Sequence, residues 1–341
     1  MSYTIVTGAN GYIASHIVSN LLKEGKNVIG TVRSFNKAAD LIQAFSKEFK
    51  SGQLKFIEVD FEKRETIENI FKTYPKEIST FIHPAQNFGK NAKGPEDYDR
   101  EIIQYTRNTV DDIIHIVESS DAPIERFVYF STSVAVRGVE YDFNHTFTEA
   151  DFPDVSYEEA KGDWMKAYTF AKVNAEKKIL SHKSKRGIEY KIVVPPTVIG
   201  PSIAPWNTGD EVQSNNRFLY QIFKGEKPAR TVEWWADVRS IADAAVQAGD
   251  KSKTRGVEHN RYVIVDGTEN YHEIIPILLK HFKDYNPGNW EELFASIQDD
   301  VKDRKIAKRD LHITESEVKH DSITFEQSVI DVVNEFLKIR D

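Results

Sequence analysis

The first apolar run of the chain, Tyr3–Val6, leads without a break into Thr7-Gly8-Ala9-Asn10-Gly11-Tyr12-Ile13-Ala14. This turn restricts the possible folds more than any other segment. Gly8 permits a tight strand-to-helix turn, Gly11 leaves the backbone open to close approach, and Ala14 keeps the following helix near the strand. The exposed N–H groups of such a turn and the dipole of its helix favour phosphate oxygens, so the segment suits the pyrophosphate of a dinucleotide. Its spacing is G-x-x-G-x-x-A rather than G-x-G-x-x-G. On its own that pattern is a plain tight turn; its position after the first strand of a longer series gives it meaning.

The series is easy to follow. Further short apolar runs occupy Asn27–Val32, 54–59, 78–82 and Arg126–Phe130, and between them lie helical stretches at Tyr12–Lys23, 37–49, 64–72 and 102–118. In the last, Ile102, Ile103, Thr106, Val110, Ile113, Ile114 and Val117 keep the 3.6-residue repeat. Strands separated by such helices predict βαβ units. The expected fold is therefore α/β, a doubly wound parallel sheet of the Rossmann type with helices on both faces. A helix over 168–180 leads into a strand over 190–194, after which Pro195-Pro196 changes the pattern. Residues 201–235 are rich in Pro, Asn, Gly and Trp, with one helical piece at 216–224. A helix over 237–249 and a strand over 261–265 follow, then amphipathic stretches at 272–282 and 325–337. The expected organisation is a cofactor-binding domain over 1–200, to which the chain returns at about 236–266. A smaller C-terminal substrate lobe is expected from 201–235 and 267–341.

Composition removes several function classes. A formal net charge of −8 argues against a general affinity for nucleic acid or an anionic membrane. The absence of cysteine excludes disulfides, thiolate metal sites and a cysteine nucleophile, and no metal site is expected. No run approaches a membrane span and no signal peptide is visible, so a cytoplasmic protein acting on a small molecule is the expectation.

The second strand ends Gly30-Thr31-Val32-Arg33-Ser34. Where an NAD site carries an acid for the ribose 2′-hydroxyl, this chain has Arg33, with Lys37 a turn later; paired cations suit the 2′-phosphate of NADP(H). Asp60, followed by Phe61, ends the third strand and can accept from the adenine amino group, although a strand-end Asp also serves as a turn or helix cap. The fifth strand ends Phe130-Ser131-Thr132-Ser133, and the carboxyl ends of strands line the crevice of an open parallel sheet. Tyr and Lys four residues apart occur three times, at Tyr157/Lys161, Tyr168/Lys172 and Tyr220/Lys224. The first lies in an acidic segment read as a loop and the last lies beyond the sheet, which leaves Tyr168/Lys172.

Taken together these segments resemble the extended short-chain dehydrogenases/reductases, in the branch of dihydroflavonol 4-reductase and the yeast ketone and methylglyoxal reductases. The resemblance rests on the glycine turn, Arg33, Phe130-Ser131-Thr132-Ser133, Tyr168-x-x-x-Lys172, Pro195-x-x-x-x-Gly200-Pro201 and Asp237-Val238-Arg239. It implies a catalytic set of Ser133, Tyr168 and Lys172, with Asn108 in a proton relay. It also implies that His83, Pro84, Ala85, Pro195 and Val198 lie beside the cofactor. In this chemistry Tyr168 protonates a carbonyl oxygen, Ser133 hydrogen-bonds it, and Lys172 lowers the phenol pKa and binds the ribose. The substrate is then expected between the sheet edge and the smaller lobe, walled by Phe88, Val134, Trp164, Val198, Ile199 and Trp206. Gln86, Val134 and Ser240 depart from the branch, and the C-terminal third matches only loosely.

The expected activity is NADPH-dependent reduction of a ketone or aldehyde by a monomer or homodimer. The alternatives are an NAD-dependent sugar-nucleotide epimerase or dehydratase, and a cofactor-sensing protein without turnover. Retention of both Tyr168 and Lys172 speaks against the last.

Overall fold

The computed structural model describes residues 2–89, 91–227, 234–254, 259–301, 305–320 and 322–339. Residues 228–233 of the expected lobe segment 201–235, together with 302–304, 321, 340 and 341 of 267–341 and residues 255–258 of the 236–266 return, lie outside them. The strands are β1 (Tyr3–Val6), β2 (Asn27–Val32), β3 (Leu54–Glu58), β4 (Ile78–His83), β5 (Arg126–Phe130), β6 (Thr146–Phe147), β7 (Glu189–Val194), β8 (Thr197–Ile199), β9 (Trp235–Asp237), β10 (Arg261–Val263) and β11 (Lys308–Arg309).

Seven of these form one sheet in the order β10-β7-β5-β4-β1-β2-β3, all parallel. The order reverses between β1 and β4, which opens a crevice at their carboxyl ends, the place where α/β sheets bind ligands. Strands buried on both faces read as nearly continuous apolar runs, and β1 and β5 are buried throughout, with Thr4 and Arg126 as their buried polar members. Successive residues serve opposite cores. Phe127 and Tyr129 pack with Ile113, Val117 and Ile192, whereas Val128 and Phe130 pack with Val6, Ile241 and Tyr262. The helices Tyr12–Lys23 and Val238–Gly249 cover the second face; Arg64–Thr73, Tyr105–Ser119 and Trp164–Ser181 cover the first.

A third core lies outside the sheet. It gathers Ile199, Leu219, Trp235, Ile275, Trp290, Val329 and Phe336 from the short pair β8–β9 and the helices Asn216–Phe223, Ile274–His281, Trp290–Val301 and Phe325–Phe336, with Trp206 from the loop after β8.

Several local expectations need correction. The helix over 37–49 is broken into a 3₁₀ turn Phe35–Ala38 and two short helices, Ala39–Ala44 and Ser46–Ser51, with Phe45 off helical dihedrals (φ −117°, ψ 42°). The last piece buries no residue, so no packing holds it in line with the first. The acidic segment before Trp164 is not all loop, because Tyr157–Gly162 is a helix opened by a capping box between Ser156 and Glu159. The Tyr168 helix starts four residues early, where the Asp163 carboxylate accepts from the Lys166 N–H. A π-helical turn, Asp99–Gln104, precedes Tyr105–Ser119.

Candidate active site

The glycine turn sits at the reversal of the sheet. Gly8 has φ +58°, a conformation that strains any residue with a Cβ, and a Cβ built there would lie 3.2 Å from Ala85 Cβ. Its N–H donates to Thr31 Oγ1 (3.0 Å), the Ala9 N–H to Thr31 O (2.9 Å), and the Gly11 N–H to Gly8 O (2.7 Å). Gly11 is the N-cap of Tyr12–Lys23, and no side chain caps that helix end. An uncapped helix N-terminus behind a cradle too tight for a Cβ fits the phosphates of a dinucleotide. Thr7 Oγ1 pairs with His83 Nδ1 (2.8 Å) and accepts from the Ala85 N–H (3.2 Å), which holds His83-Pro84-Ala85 against the turn. The Tyr12 side chain is occupied elsewhere: its hydroxyl donates to Gly200 O (2.7 Å), and His16 bonds Pro201 O (2.9 Å). Through Tyr12 and Ile13 only the backbone is offered to a ligand, while Asn10 is exposed at the turn.

At the end of β2, Arg33 and Lys37 are both exposed, and neither forms an ion pair among the described residues. Arg33 lies near enough to Tyr105 for its charge to favour the phenolate there, although burial still raises that group overall. Asp60 acts in its own turn, accepting from the Glu62 N–H (3.1 Å) and facing Lys63 Nζ at 3.6 Å. Phe61 packs its ring 5.1 Å from that of His83.

Tyr168, Lys172 and Glu176 follow one another at single-turn spacing along Trp164–Ser181, and all three are buried. The Trp164 ring stacks on Tyr168 at 5.8 Å and 10°, and Phe88 lies 5.5 Å from it on another side. The Trp164 Nε1–H donates to Phe88 O (2.9 Å), which fastens the loop after β4 over the phenol. Burial pushes the Tyr168 phenol well above its ordinary range, with the Thr132 hydroxyl acting in the opposite sense. The sequence led us to expect Lys172 to lower this phenol. Instead burial dominates, because the ammonium is turned into the sheet and donates to Phe130 O (2.6 Å) and Tyr129 Oη (3.1 Å). Lys172 itself is pushed down to about 7 by burial, with Glu176 opposing the shift.

Ser133 is buried beside this group, and its N–H donates to Pro195 O (2.9 Å), which brings the ends of β5 and β7 together. The hydroxyl that bears on Tyr168 is that of its neighbour Thr132, a member of the same strand-end cluster to which the resemblance gives no catalytic role. Glu176 was missed. It accepts from the Ser131 hydroxyl and from Arg261, whose other donors hold Glu149 O, Asp151 O and Ala135 O. The signal was available, since Glu176 is one turn beyond Lys172 on the same helix face.

Other predicted residues are not brought to the cluster. Asn108 is exposed, because the helix turns Thr106, Thr109 and Val110 inward and position 108 points away from them. Trp206 is a core residue of the smaller lobe, 5.8 Å from the Phe336 ring, rather than a pocket wall. Val198 and Ile199 are likewise buried in the second and third cores. Of the expected walls, Phe88, Val134 and Trp164 retain exposed surface near Tyr168.

Comparison with known proteins adds an independent line. The model of the NAD dependent epimerase/dehydratase family matches residues 4–255. The chain is 28% identical over 320 residues to the NADPH-dependent methylglyoxal reductase GRE2 of Saccharomyces cerevisiae, covering 88% of this chain and 91% of that protein. It is 29% identical over 251 residues to the ketoreductase adrE of Penicillium rubens, covering 71% and 70%. Among solved structures, Gre2 of Candida albicans in complex with NADPH superposes with a TM-score of 0.82 at 23% identity, covering both chains completely.

Proposed function

The chain belongs to the NAD dependent epimerase/dehydratase family, the extended short-chain dehydrogenases/reductases, and on that premise we propose that it is an NADPH-dependent carbonyl reductase. The observation that carries this reading is Tyr168: a buried phenol, kept protonated by its surroundings, at the carboxyl edge of the sheet with the Thr132 hydroxyl on it and Lys172 one turn away. A phenol in that state is protonated at neutral pH and, although burial makes it a weaker acid, it can give its proton to the far more basic oxygen of a forming alkoxide.

In the proposed site the backbone of Gly8 to Ile13 would hold the pyrophosphate, and Arg33 with Lys37 would hold the 2′-phosphate. Asp60 and Phe61 would serve the adenine side, and His83, Pro84, Ala85 and Pro195 the nicotinamide half, whereas Val198 is packed in the second core. The bound nucleotide supplies the hydride to the carbonyl carbon. The chain's own residues manage the oxygen. Tyr168 donates its proton as negative charge develops there, and Ser133, with Thr132, donates a hydrogen bond to the same atom. The charge of Lys172 favours the phenolate left behind, and one solvent proton restores the phenol in each turnover. Phe88, Val134 and Trp164 shield these events from water and offer an apolar surface to the substrate's side groups.

The methylglyoxal reductase and ketoreductase named above support a small carbonyl substrate. Sugar-nucleotide chemistry draws no support from the cations near the crevice. Arg239 is engaged by Asp237 and Asp331, and Arg217 bonds Gly209 O and Asp210 at the exposed surface. We take residues 1–200 with 236–266 as the cofactor domain and the remainder as the substrate lobe. Among the described residues no helix is long and apolar enough to cross a membrane.

The test is direct. Purified protein with NADPH and a panel of aryl ketones, α-ketoesters and short aldehydes is followed at the NADPH absorbance. At least one member is expected to give an equimolar amount of alcohol per NADPH consumed. Stoichiometric NAD retained through purification, with no NADPH consumption on the panel, would replace the reductase by an epimerase.

A further inference from the structure

We propose that Tyr129 is a positioning residue for Lys172: its phenol oxygen is the second protein acceptor on the ammonium, fixing the direction of Nζ and favouring the charged lysine. Its effect on turnover rests on the reductase reading; the contact itself does not.

An ammonium has three N–H donors, and the two acceptors define the third. Phe130 O lies on the backbone of β5 at 2.6 Å, and Tyr129 Oη lies at 3.1 Å. With one acceptor Nζ can still rotate about that bond; with two, the remaining N–H has a single direction. The Tyr129 ring is itself fixed. It is 1% exposed, stacks 6.1 Å from His83, and has Lys172 Nζ 4.5 Å from its centroid. The alternation of β5 puts Tyr129 on the helix-covered face that also receives Lys172, so the contact follows from strand period and helix phase together.

The groups facing Lys172 come from three elements. From its own helix come Tyr168 and Glu176, from β5 Tyr129, and from β4 His83, which burial holds neutral with a pKa of about 3. Glu176 is the only carboxylate among these. Both of its oxygens are engaged, by Ser131 and by Arg261. Burial opposes the charged form of Lys172 and Glu176 supports it, and Phe130 O and Tyr129 Oη are the acceptors in direct contact with Nζ. A hydrogen bond to the charged form of a group favours that form, and its removal in a buried site leaves a donor unsatisfied.

The test uses Tyr129→Phe, which deletes one oxygen and keeps the ring. In cofactor-free protein labelled with 13Cε-lysine, the Lys172 resonance is assigned by its loss in Lys172→Met and titrated with pH. We expect its midpoint to fall by about one unit in Tyr129→Phe. In the loaded enzyme the alkaline limb of kcat should move the same way, with kcat roughly tenfold lower at pH 8, recovering towards pH 6, and the KM for the carbonyl little changed. An unchanged Lys172 midpoint overturns the proposal. If no carbonyl is reduced by the wild type, the reductase reading fails while the midpoint still decides this contact. Should Tyr129→Phe not fold, site-specific 3-fluorotyrosine at position 129 weakens the acceptor without altering its shape. A smaller shift in the same direction is then expected, and none would overturn the proposal.

Discussion

Arg33 stands exposed at the end of β2 with no carboxylate paired to it among the described residues, and Lys37 follows one turn later. A cation held in water without a partner contributes little to stability, so its role is best sought in binding. Arg33→Asp removes one cation from the 2′-phosphate and places a like charge beside it. The KM for NADPH should rise roughly 30-fold or more while that for NADH stays within a fewfold, about 2 kcal/mol of differential binding. Equal changes for both nucleotides would make Arg33 a surface charge. This residue was legible because strand-end position and charge are both written in sequence. Thr132 was less so, since which of three adjacent hydroxyls bears on Tyr168 depends on how the chain bends into the short helix Val134–Arg137. Trp206 was misread because Trp is equally at home in a core and in a pocket wall, and only the packing of Phe336 against it decides.

Two histidines staple elements around the glycine turn. His83 joins β4 to β1 through Thr7, and His16 joins the first helix to Pro201. Burial pushes His16 down to about 4 and His83 to about 3, from an ordinary value near 6.5. Between pH 6.5 and those values the unfolded chain binds protons that the folded chain does not. Stability is therefore complete above about pH 6.5 and falls as pH drops, by on the order of 3 kcal/mol from His16 alone once pH 4 is reached. Thermal melts from pH 7 to pH 4 should show this decline, and His16→Asn should remove about half of it, His83 supplying the rest; a parallel decline in the variant would show that His16 is not responsible. At this scale the sequence was most readable where period and burial agree, as in β1, β2, β5 and Tyr12–Lys23, whose bounds match the periodic pattern. It was least readable at 37–49 and 149–163. There helix ends are set by Phe45 dihedrals and by side-chain caps at Ser156 and Asp163, not by an apolar stripe.

Across the whole molecule, the parallel sheet brings residues more than 150 positions apart to one edge. Thr7 is linked to Lys172 there through His83 and Tyr129, and the Gly200 turn ties the sheet to the third core through Tyr12 and Asn216. That convergence was legible from the alternation of strands and helices. The core of the smaller lobe was not, because its packing is set by long-range contacts among Trp206, Trp235, Trp290 and Phe336 that no local pattern encodes. The central claim concerns one proton, the one Tyr168 gives to a carbonyl oxygen. Tyr168→Phe keeps the ring between Trp164 and Phe88 and removes only that proton. With a carbonyl compound that the wild type reduces, kcat should fall about a thousandfold or more while the Kd for NADPH changes less than threefold. A variant that turns over at the wild-type rate would contradict the account.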